Sequence, residues 1–317
     1  MTHKLKDAHQ DEHFYDIIGD VHGHLTELQK LLIKLEYSMV NGVWSHAYRT
    51  AVFVGDFINR GSNSKGVIHL IKDMVNAGTA LAILGNHELN AILYFTQFND
   101  EPIRLPGNNN LRLLERFANE YNGHKEVLKR DIKWLRTLPL HLTINGIRVV
   151  HAYWNDENLS KLDSLYEGGK LKKRSLKAAM EPSSEWHKPL FETLKGIELA
   201  MPKDLVIKDS QNVKRENFRI KWWRKPKGKT FKKMSYGNKF ELPDYTIPLE
   251  IISDYTIYPK TDPIVFIGHY CMGHGPMIPS KNICCVDACV TGTGRLAAYR
   301  YNGEGELNEE NFVFVSL

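Results

Sequence analysis

The first 100 residues alternate between short apolar runs and longer stretches in which apolar residues recur at helical spacing. The apolar, β-rich runs occupy residues 14–19, 50–55 and 80–85, and each of them ends in a glycine. Between them, the leucines from Leu25 to Leu35 and the apolar residues of 66–77 repeat at the spacing of one helix face. The succession of strand, helix, strand, helix and strand predicts βαβ units and a largely parallel sheet.

The remainder of the chain divides into a helical stretch, an irregular stretch and a β-rich end. Residues 100–145 have a mainly helical pattern, and residues 148–152 are typical of a strand. Residues 153–250 are the least regular and are rich in Lys, Trp and Pro. We interpret 160–250 as a basic cap or insertion within a single domain of residues 14–317. β character returns in four runs, at 264–268, 283–286, 296–301 and 312–315.

The composition is that of a globular protein. The chain has 317 residues, of which 42% are hydrophobic and 25% charged, enough for one large α/β domain or two modest ones. No stretch approaches the roughly 18 apolar residues of a membrane span. The polar N-terminus also lacks the apolar core of a signal peptide. We therefore expect a cytoplasmic protein with no membrane partner.

All four cysteines lie near the C-terminus, at Cys271, Cys284, Cys285 and Cys289. They form no CxxC pair, so their spacing does not indicate a zinc site. We expect buried free thiols and hence a reducing compartment.

Polar side chains follow the apolar runs at five places in the chain. Because the carboxyl ends of parallel strands meet at one edge of a sheet, we expect these side chains to converge. Asp, Asn and His are ligands that suit two divalent or trivalent ions such as Mn, Fe, Zn or Co. One such motif alone could be a turn or a core histidine, but five in order favour a metal centre. The motifs are Gly19-Asp20-Val21-His22-Gly23, Gly55-Asp56-Phe57-Ile58-Asn59-Arg60-Gly61, Gly85-Asn86-His87-Glu88, Val150-His151-Ala152 and Gly268-His269.

In this order the motifs resemble the calcineurin-like metallophosphoesterases of the phosphoprotein phosphatase superfamily, and most closely the bacterial diadenosine tetraphosphatase-like branch. The segment Ile83-Leu84-Gly85-Asn86-His87-Glu88 lacks the Arg that eukaryotic Ser/Thr phosphatases carry just before Gly-Asn-His-Glu. The segment Cys285-Val286-Asp287-Ala288-Cys289-Val290 is similar to the Ile-Asp-Thr-Gly-Cys-Val tail of the bacterial enzymes. The resemblance covers residues 14–154 and 262–301, and it does not cover 165–250. It implies an α/β fold with a central β-sandwich of two mixed sheets flanked by helices, carrying an inserted cap.

The resemblance also implies ligands for two metal ions. Such a pair, about 3.5–4 Å apart, clamps a phosphoryl group and lowers the pKa of a bridging water, which attacks as hydroxide. We expect Mn first, with Fe, Zn, Co and Ni as alternatives. The implied ligands are Asp20 and His22 for the first ion, Asp56 as the bridge, and Asn86, His151 and His269 for the second.

Three further residues receive catalytic roles from the resemblance. Arg60 would grip the phosphate oxygens with its planar guanidinium, and His87 would protonate the leaving oxygen. Asn59 stands where the eukaryotic phosphatases have an Asp that hydrogen-bonds this histidine and raises its pKa. Asn59 supplies no charge, so we expect His87 to be less often protonated at neutral pH. Activity on poor leaving groups should then fall above about pH 7, given the usual histidine pKa of about 6.5.

The substrate-binding residues are less clearly indicated. Tyr153 and Trp154 follow the predicted ligand His151, and they either line the substrate entrance and stack on a ring or pack under the cap. The net charge of +5 is concentrated in residues 214–233, which contain ten Lys or Arg and one acid, Glu216. The segment 218–227 interleaves aromatic residues with these cations. It indicates a nucleic-acid or nucleobase-stacking surface, a surface for phosphorylated peptides, or a solvated basic face with a buried Trp.

We prefer a substrate-binding cap beside the metal centre, with Arg224 as a second phosphate-contacting residue. The sequence thus predicts a dinuclear metal-dependent phosphoesterase acting on phosphate monoesters, either phosphoproteins or small molecules. The alternative substrate is a dinucleoside polyphosphate, cleaved symmetrically. A third hypothesis, motivated by residues 214–233, is a nucleic-acid-binding protein with a phosphatase-like body.

Overall fold

Two mixed five-stranded sheets form the centre of the molecule. The computed structural model describes residues 14–203, 205–208, 214–236, 240–271 and 276–317. Its strands are β1 (Phe14–Ile18), β2 (Ser38–Val40), β3 (Val43–Ser45), β4 (Arg49–Phe53), β5 (Ala80–Ala82), β6 (Gln97–Phe98), β7 (Glu101–Pro102), β8 (His141–Ile144), β9 (Ile147–Val150), β10 (Tyr166–Glu167), β11 (Lys170–Leu171), β12 (Glu198–Ala200), β13 (Ile207–Lys208), β14 (Lys214–Arg215), β15 (Asn217–Arg219), β16 (Val265–Ile267), β17 (Met277–Ser280), β18 (Ile283–Cys285), β19 (Arg295–Tyr301) and β20 (Phe312–Ser316). Its helices are α1 (Leu25–Lys34), α2 (Ser64–Asn76), α3 (Asn86–Phe95), α4 (Asn108–Asn119), α5 (Lys125–Leu135), α6 (Asp156–Asp163), α7 (Lys173–Ala179), α8 (His187–Lys195), α9 (Phe231–Met234) and α10 (Val290–Thr293).

Each sheet combines three adjacent parallel strands with two antiparallel pairings. The first sheet has the order β20-β19-β1-β4-β5, in which β1, β4 and β5 are parallel and β19 and β20 are antiparallel. The second has the order β17-β18-β16-β9-β8, in which β18, β16 and β9 are parallel and the two edge strands are antiparallel. The predicted sandwich of two mixed sheets is confirmed.

The two sheets pack face to face through a core of alternating apolar side chains. Ile17, Val52 and Ile83 from the first sheet meet Val149 and Phe266 from the second, and all five are fully buried. The opposite face of the first sheet is covered by helices, so its central strands are buried on both sides. This explains why they appear in the sequence as continuous apolar runs.

The segment predicted as one cap divides between two cores. Residues up to Leu194, including Leu162 and Leu176, pack in the core between the first sheet and its helices. From Ile197 onward the described residues of the segment cover the outer face of the second sheet, where Phe218 and other aromatic side chains are buried. The insertion therefore supplies a structural layer to the sandwich. The single domain of 14–317 and the limits 160–250 stay predictions.

The prediction of four free thiols is wrong for one pair, because Cys271 and Cys289 form a disulfide. These cysteines lie in the loops after β16 and β18, which are parallel neighbours, so both loops emerge at the same edge of the sheet. Cys284 and Cys285 are free and buried. Among the described residues, no helix is both long enough and apolar enough to cross a membrane.

Candidate metal centre

The five motifs lie in loops at the carboxyl ends of five strands. The loops follow β1, β4 and β5 in the first sheet and β9 and β16 in the second, and within each sheet these strands run parallel. Parallel strands bring the loops that follow them to one edge, which is where α/β sheets build their sites. Residues up to 249 apart in sequence meet there, as where the backbone N–H of His269 donates to the carboxylate of Asp20.

Asp56 lies at the centre of the site. Its carboxylate belongs to two clusters of potential ligand atoms that lie within 4.8 Å of one another, one with His22 and His87 and one with His151 and His269. Asp56 Oδ1 is 3.4 Å from His151 Nε2, and Asp56 Oδ2 is 3.8 Å from His22 Nε2. A carboxylate shared by two clusters is the arrangement that a bridging ligand requires.

Two predicted ligands lie at the margins of these clusters. Asn86 Oδ1 is 3.2 Å from His151 Nε2, so its amide oxygen faces the second cluster. Asp20 is buried nearby, but its carboxylate accepts the backbone N–H of His269 at 3.1 and 3.2 Å. Asp20 is therefore beside the centre and belongs to neither cluster.

The imidazole rings are oriented by backbone carbonyls. His22 Nδ1 lies 3.2 Å from the carbonyl oxygen of Ile58, and His151 Nδ1 lies 2.7 Å from that of Val54. In both rings Nε2 is left to face Asp56, as expected when a second interaction fixes the tautomer of a metal-binding histidine. His269 Nε2 is buried and has no hydrogen-bond partner in the described part of the chain. A metal ion would satisfy this orphaned nitrogen, so the residues fit the predicted ions.

The charges of the site also favour a bound cation. Burial, followed by the negative charge of Asp287, raises the pKa of Asp20 well above its usual value. The positive charges of His151 and His87 overcome the effect of burial on Asp56 and hold its pKa well below the usual value. Burial also opposes a charge on His151, but the adjacent Asp56 carboxylate raises the pKa of that histidine to about 10. Bound metal ions would supply further positive charge to these buried carboxylates.

The backbone of the site is strained at the functional side chains. His22, Asp56, Asn59, Arg60 and His269 all have φ between 47° and 71°, in the left-handed region that side chains other than glycine rarely adopt. Such conformations cost about 1–3 kcal/mol each and cluster at functional sites. The surrounding loops must therefore be held firmly.

Glycines permit the close approach of these loops. A Cβ atom at Gly85 would collide with the backbone nitrogen and the carboxylate of Asp56. A Cβ atom at Gly268 would collide with the carboxylate of Asp20. Both positions therefore require glycine for packing around the ligands.

The carboxylate of Glu88 connects the loops after β4 and β5. Glu88 belongs to one of the five motifs, but this role was not predicted from the sequence. Its carboxylate is fully buried and accepts four backbone N–H groups at 2.8–3.2 Å, from Gly85, Asp56, Phe57 and Ile58. These donors lie in the loops after β4 and β5. A carboxylate that accepts several backbone hydrogen bonds fixes the path of both loops and hence the position of Asp56.

The predicted catalytic residues lie against this centre. His87 Nδ1 is 2.8 Å from Asn59 Nδ2, and His87 Nε2 is 3.4 Å from Arg60 Nη2 and 3.9 Å from Asp56 Oδ2. Arg60 is exposed at the mouth of the site. Burial, opposed by Asp56 and reinforced by Arg60, lowers the pKa of His87 to about 4. The loss of protonation therefore falls well below the pH of about 7 expected from the sequence.

Tyr153 does not lie at a substrate entrance. Only 1% of its surface is exposed, and its hydroxyl donates to the carbonyl oxygen of Thr256 at 2.7 Å. Its ring packs against Trp222, with 5.2 Å between ring centroids. Trp154 is likewise buried. Tyr153 and Trp154 therefore pack under the insertion, which was the second of the two possibilities considered from the sequence.

The aromatic residues of the basic segment are also interior. Phe218 and Trp222 are fully buried, Trp223 is 9% exposed, and Trp222 Nε1 donates to the carbonyl oxygen of Ala152 at 3.1 Å. They have no free faces on which bases could stack, which removes the main support for a nucleic-acid-binding surface. The interleaved pattern reflects alternation between buried aromatic and outward-facing basic positions.

Arg224 is exposed, and the charges of two other cations act on the histidines of the metal centre. Arg219 lies 5.8 Å from the ring centroid of Tyr270, which follows His269 in the chain, and 3.6 Å from Glu198. After burial, the positive charge of Arg219 is the largest factor that lowers the pKa of His269. The charge of Lys195 also contributes to the low pKa of His87. Arg219 belongs to the basic segment noted in the sequence, where Arg224 was preferred, whereas Lys195 lies outside every motif.

Fold and site together define a metallophosphoesterase. The family model for calcineurin-like phosphoesterases matches residues 15–292, and the chain belongs to this family of hydrolases.

Two curated relatives of the same name each match slightly less than half of this chain. The chain is 38% identical over 144 residues to the bis(5'-nucleosyl)-tetraphosphatase PrpE [asymmetrical] of Oceanobacillus iheyensis, covering 44% of this chain and 54% of that protein. It is 31% identical over 150 residues to the protein of the same name from Bacillus subtilis, covering 46% of this chain and 60% of that protein. The matches thus span little more than half the length of these relatives.

A solved structure supports the fold alone. It is a protein serine/threonine phosphatase from Saccharomyces cerevisiae with similarity to human phosphatase PP5. The match has a TM-score of 0.50 and 14% identity, and it covers 97% of this chain and 80% of that one.

Proposed function

We propose that this metallophosphoesterase hydrolyses the polyphosphate chain of dinucleoside tetraphosphates, and that it cleaves the chain asymmetrically. The observation that carries the proposal is a series of cations that extends outward from the metal centre. A phosphate monoester needs few positive charges, whereas a chain of phosphates presents several negative charges in a row.

The series begins at Arg60 and continues through Arg219, Lys195 and Arg104. Arg60 lies against His87, and Arg219 lies against the ring of Tyr270. Lys195 Nζ is 4.6 Å from the ring centroid of Phe191, and Arg104 Cζ is 5.4 Å from the same centroid. Burial, followed by the charges of Arg104 and Arg219 and opposed by Glu198, lowers the pKa of Lys195. These cations are therefore close enough to act on one extended anion.

The contact between Asn59 and His87 is consistent with the same substrate. Burial, reinforced by the charge of Arg60, lowers the pKa of His87 to about 4, and Asn59 supplies a hydrogen bond but no negative charge that would raise it. A nucleoside phosphate leaves readily without full protonation, whereas an alkoxide does not. Phosphomonoesters of serine or alkyl alcohols should therefore be the poorer substrates.

The residues of the site have different roles in the proposed reaction. When bound, two metal ions at the predicted ligands would neutralise the phosphoryl oxygens and supply an activated water as the nucleophile. Arg60 holds the reacting phosphate, and Arg219 takes the role predicted for Arg224. Water adds to one phosphorus and one P–O–P bond breaks. Asymmetrical cleavage then yields a nucleoside triphosphate and a nucleoside monophosphate, whereas symmetrical cleavage yields two diphosphates.

The name of the relatives supports the asymmetrical outcome and not the symmetrical cleavage expected from the sequence. The test is turnover with added Mn of diadenosine tetraphosphate, para-nitrophenyl phosphate, and phosphotyrosine and phosphoserine peptides, with chromatography of the products. The expected products from the dinucleotide are ATP and AMP. ADP as the main product would establish symmetrical cleavage. Faster turnover of the peptides than of the dinucleotide would favour a phosphoprotein phosphatase.

The two arginines of the basic segment provide a matched pair of variants. Because Arg219 lies near His269, Arg219→Ala should reduce kcat/KM for the dinucleotide by about tenfold to a hundredfold, as for other phosphate-binding cations. The exposed Arg224→Ala should leave it nearly unchanged. Equal losses in the two variants would refute the assignment of Arg219.

A further inference from the structure

A large groove lies on the helical side of the first sheet, apart from the five motifs. It has a volume of about 1220 Å³ and is lined by the end of α3, by α4 and α5, and by the segment around β11. Helix α3 begins at Asn86 in the metal centre and ends at Phe95 in the groove. At 1.5 Å per residue, the helix separates the two places by roughly 14 Å. The volume exceeds that of most small-molecule sites, which hold about 300–1,000 Å³.

The lining of the groove contains an uncompensated group of cations. Among the described residues no carboxylate lines it, and of its lysines only Lys129 has a carboxylate partner, Glu126 at 2.8 Å. The spacing of the α5 lysines places them along one face of the helix. The lining cations are Lys125, Lys129 and Lys133 of α5, Arg136 after it, and Lys170 and Lys173 across the groove.

The positive charges at one end of the groove are close together. Arg136 is 7% exposed and is fixed by a hydrogen bond of 3.0 Å from its Nε to the carbonyl oxygen of Leu171. Partial burial and the charges of Arg136, Lys133 and Lys173 lower the pKa of Lys170. Cations that repel one another in this way favour the binding of an anion between them.

The floor of the groove is apolar and aromatic. Phe95, Tyr121, Leu128 and Ile132 contribute to it, and Phe95 and Tyr121 both pack against Phe117, with ring centroids 6.0 and 5.4 Å apart. Such a surface suits the body of an aromatic ligand, whereas the lysines suit its charged end.

One buried polar group in the lining has no partner. Thr96 is 5% exposed, and its hydroxyl forms no hydrogen bond with any described residue. Buried hydroxyls in folded proteins nearly always have a partner, so this hydroxyl is available to a ligand in the groove. The amides of Gln97, Asn119 and Asn122 add further donors and acceptors to the same lining.

We propose that this groove is a second ligand site, which binds a small aromatic molecule that carries two or more phosphate groups. The aromatic floor takes the ring system, Thr96 and the amides contact its polar edge, and Lys133, Arg136, Lys170 and Lys173 hold the phosphates. The site is independent of the metal centre, and its existence does not depend on the substrate proposed above.

The test is calorimetric titration with ATP as the probe. Asp56→Asn protein in the presence of a chelator is used, so that neither turnover nor metal-mediated binding contributes. We expect one ATP to bind per chain, more tightly than tripolyphosphate or adenosine. Absence of ATP binding would overturn the proposal. Equal affinity for ATP and tripolyphosphate would show that the aromatic ring does not contribute to binding, which would also contradict the proposal.

Charge reversal locates the binding. The double substitution Lys133→Glu with Lys170→Glu should weaken ATP binding by about tenfold or more, because two attractive charges become repulsive. The matched control is Lys260→Glu with Lys281→Glu, which changes the net charge equally at exposed positions outside the groove. Equal affinity in the two double variants would place the ATP elsewhere. In the background that retains Asp56, both should keep metal-dependent turnover of para-nitrophenyl phosphate.

Thr96 gives a test with two readouts. Thr96→Val keeps the shape of the side chain but removes the unpartnered hydroxyl, so the free protein should be no less stable, while ATP binding weakens several-fold. The control is Thr193→Val, since Thr193 also has a buried hydroxyl without a partner among the described residues and lies outside the groove. That variant should bind ATP normally. Unchanged ATP affinity in Thr96→Val would remove Thr96 from the site.

Discussion

The amide of Asn59 contacts His87, the imidazole to which we assign proton donation. It lies 2.8 Å from His87 Nδ1, and it brings no negative charge to a ring whose pKa burial lowers to about 4. An imidazole with such a pKa is almost wholly neutral at pH 7. It is therefore a poor acid for any leaving group that needs a proton.

We predict that Asn59→Asp makes the protein a better phosphomonoesterase. A carboxylate at hydrogen-bond distance should raise the pKa of His87 by about 1–3 units. Turnover of an alkyl phosphate at pH 7 should then rise by about tenfold or more, and its decline with increasing pH should move to higher pH. Turnover of para-nitrophenyl phosphate, which has a good leaving group, should change much less. Initial rates from pH 5 to 9 measure both effects.

The comparison of the two substrates is the control for this prediction. A similar rise for both would show that the carboxylate acts through binding or metal content. No change for the alkyl phosphate would show that His87 does not protonate the leaving group.

At the level of secondary-structure elements, the metal centre depends on the loops after β4 and β5, which hydrogen bonds from their backbone N–H groups to Glu88 connect to each other. Helix α3 places Glu88 beneath the loops after β4 and β5, where its carboxylate accepts four backbone N–H groups. Several residues of these loops have strained backbone conformations, including Asp56. The hydrogen bonds of Glu88 offset part of that strain and keep the Asp56 carboxylate between the two clusters.

We predict that Glu88→Gln destabilises the fold and impairs turnover together. Whichever way the amide is turned, its NH₂ group faces two backbone N–H groups that then lack an acceptor. The free energy of unfolding should fall by about 3 kcal/mol, as measured with urea. The exposed Glu126→Gln should leave it nearly unchanged. Equal effects in the two variants would contradict the role of Glu88.

Much of the fold and of the centre of the site could be predicted from the sequence, because both depend on local patterns. The runs that became β1, β4 and β5 are apolar, end in glycine and are followed directly by polar motifs. Any parallel arrangement of these strands brings Asp56 and Asn86 to the same edge. The structure does bring them there, and their binding of metal ions stays a prediction.

The surroundings of the centre could not be predicted, because they are assembled from distant segments without a repeating pattern. Arg219 reaches the site because β15 pairs with β12 and packs over the second sheet. Arg224 lies five residues after Arg219 in the same aromatic and basic segment, but it is exposed. Tyr153 was assigned to the entrance by its proximity in sequence to His151, whereas the insertion buries it.

At the scale of the whole molecule, the insertion has two effects. It buries aromatic side chains against the second sheet, and it places Lys195 and Arg219 beside the metal centre. The pattern of residues 214–233 is thus partly structural, and Arg219 is the cation among them that we propose for substrate binding. The groove on the far side of the first sheet adds a second concentration of positive charge that the catalytic site does not use.

The central claim is that Asp56 joins two metal ions into one hydrolytic centre. It is tested most directly by measuring bound Mn and turnover in the chelated and reconstituted protein, for the wild type and for Asp56→Asn. We predict that the wild type binds two Mn ions per chain and recovers turnover of diadenosine tetraphosphate. Asp56→Asn should lose at least one ion and lose turnover by a factor of about a hundred or more. Full turnover by Asp56→Asn, or turnover by the chelated wild type, would show that Asp56 does not bridge two metal ions on which the reaction depends.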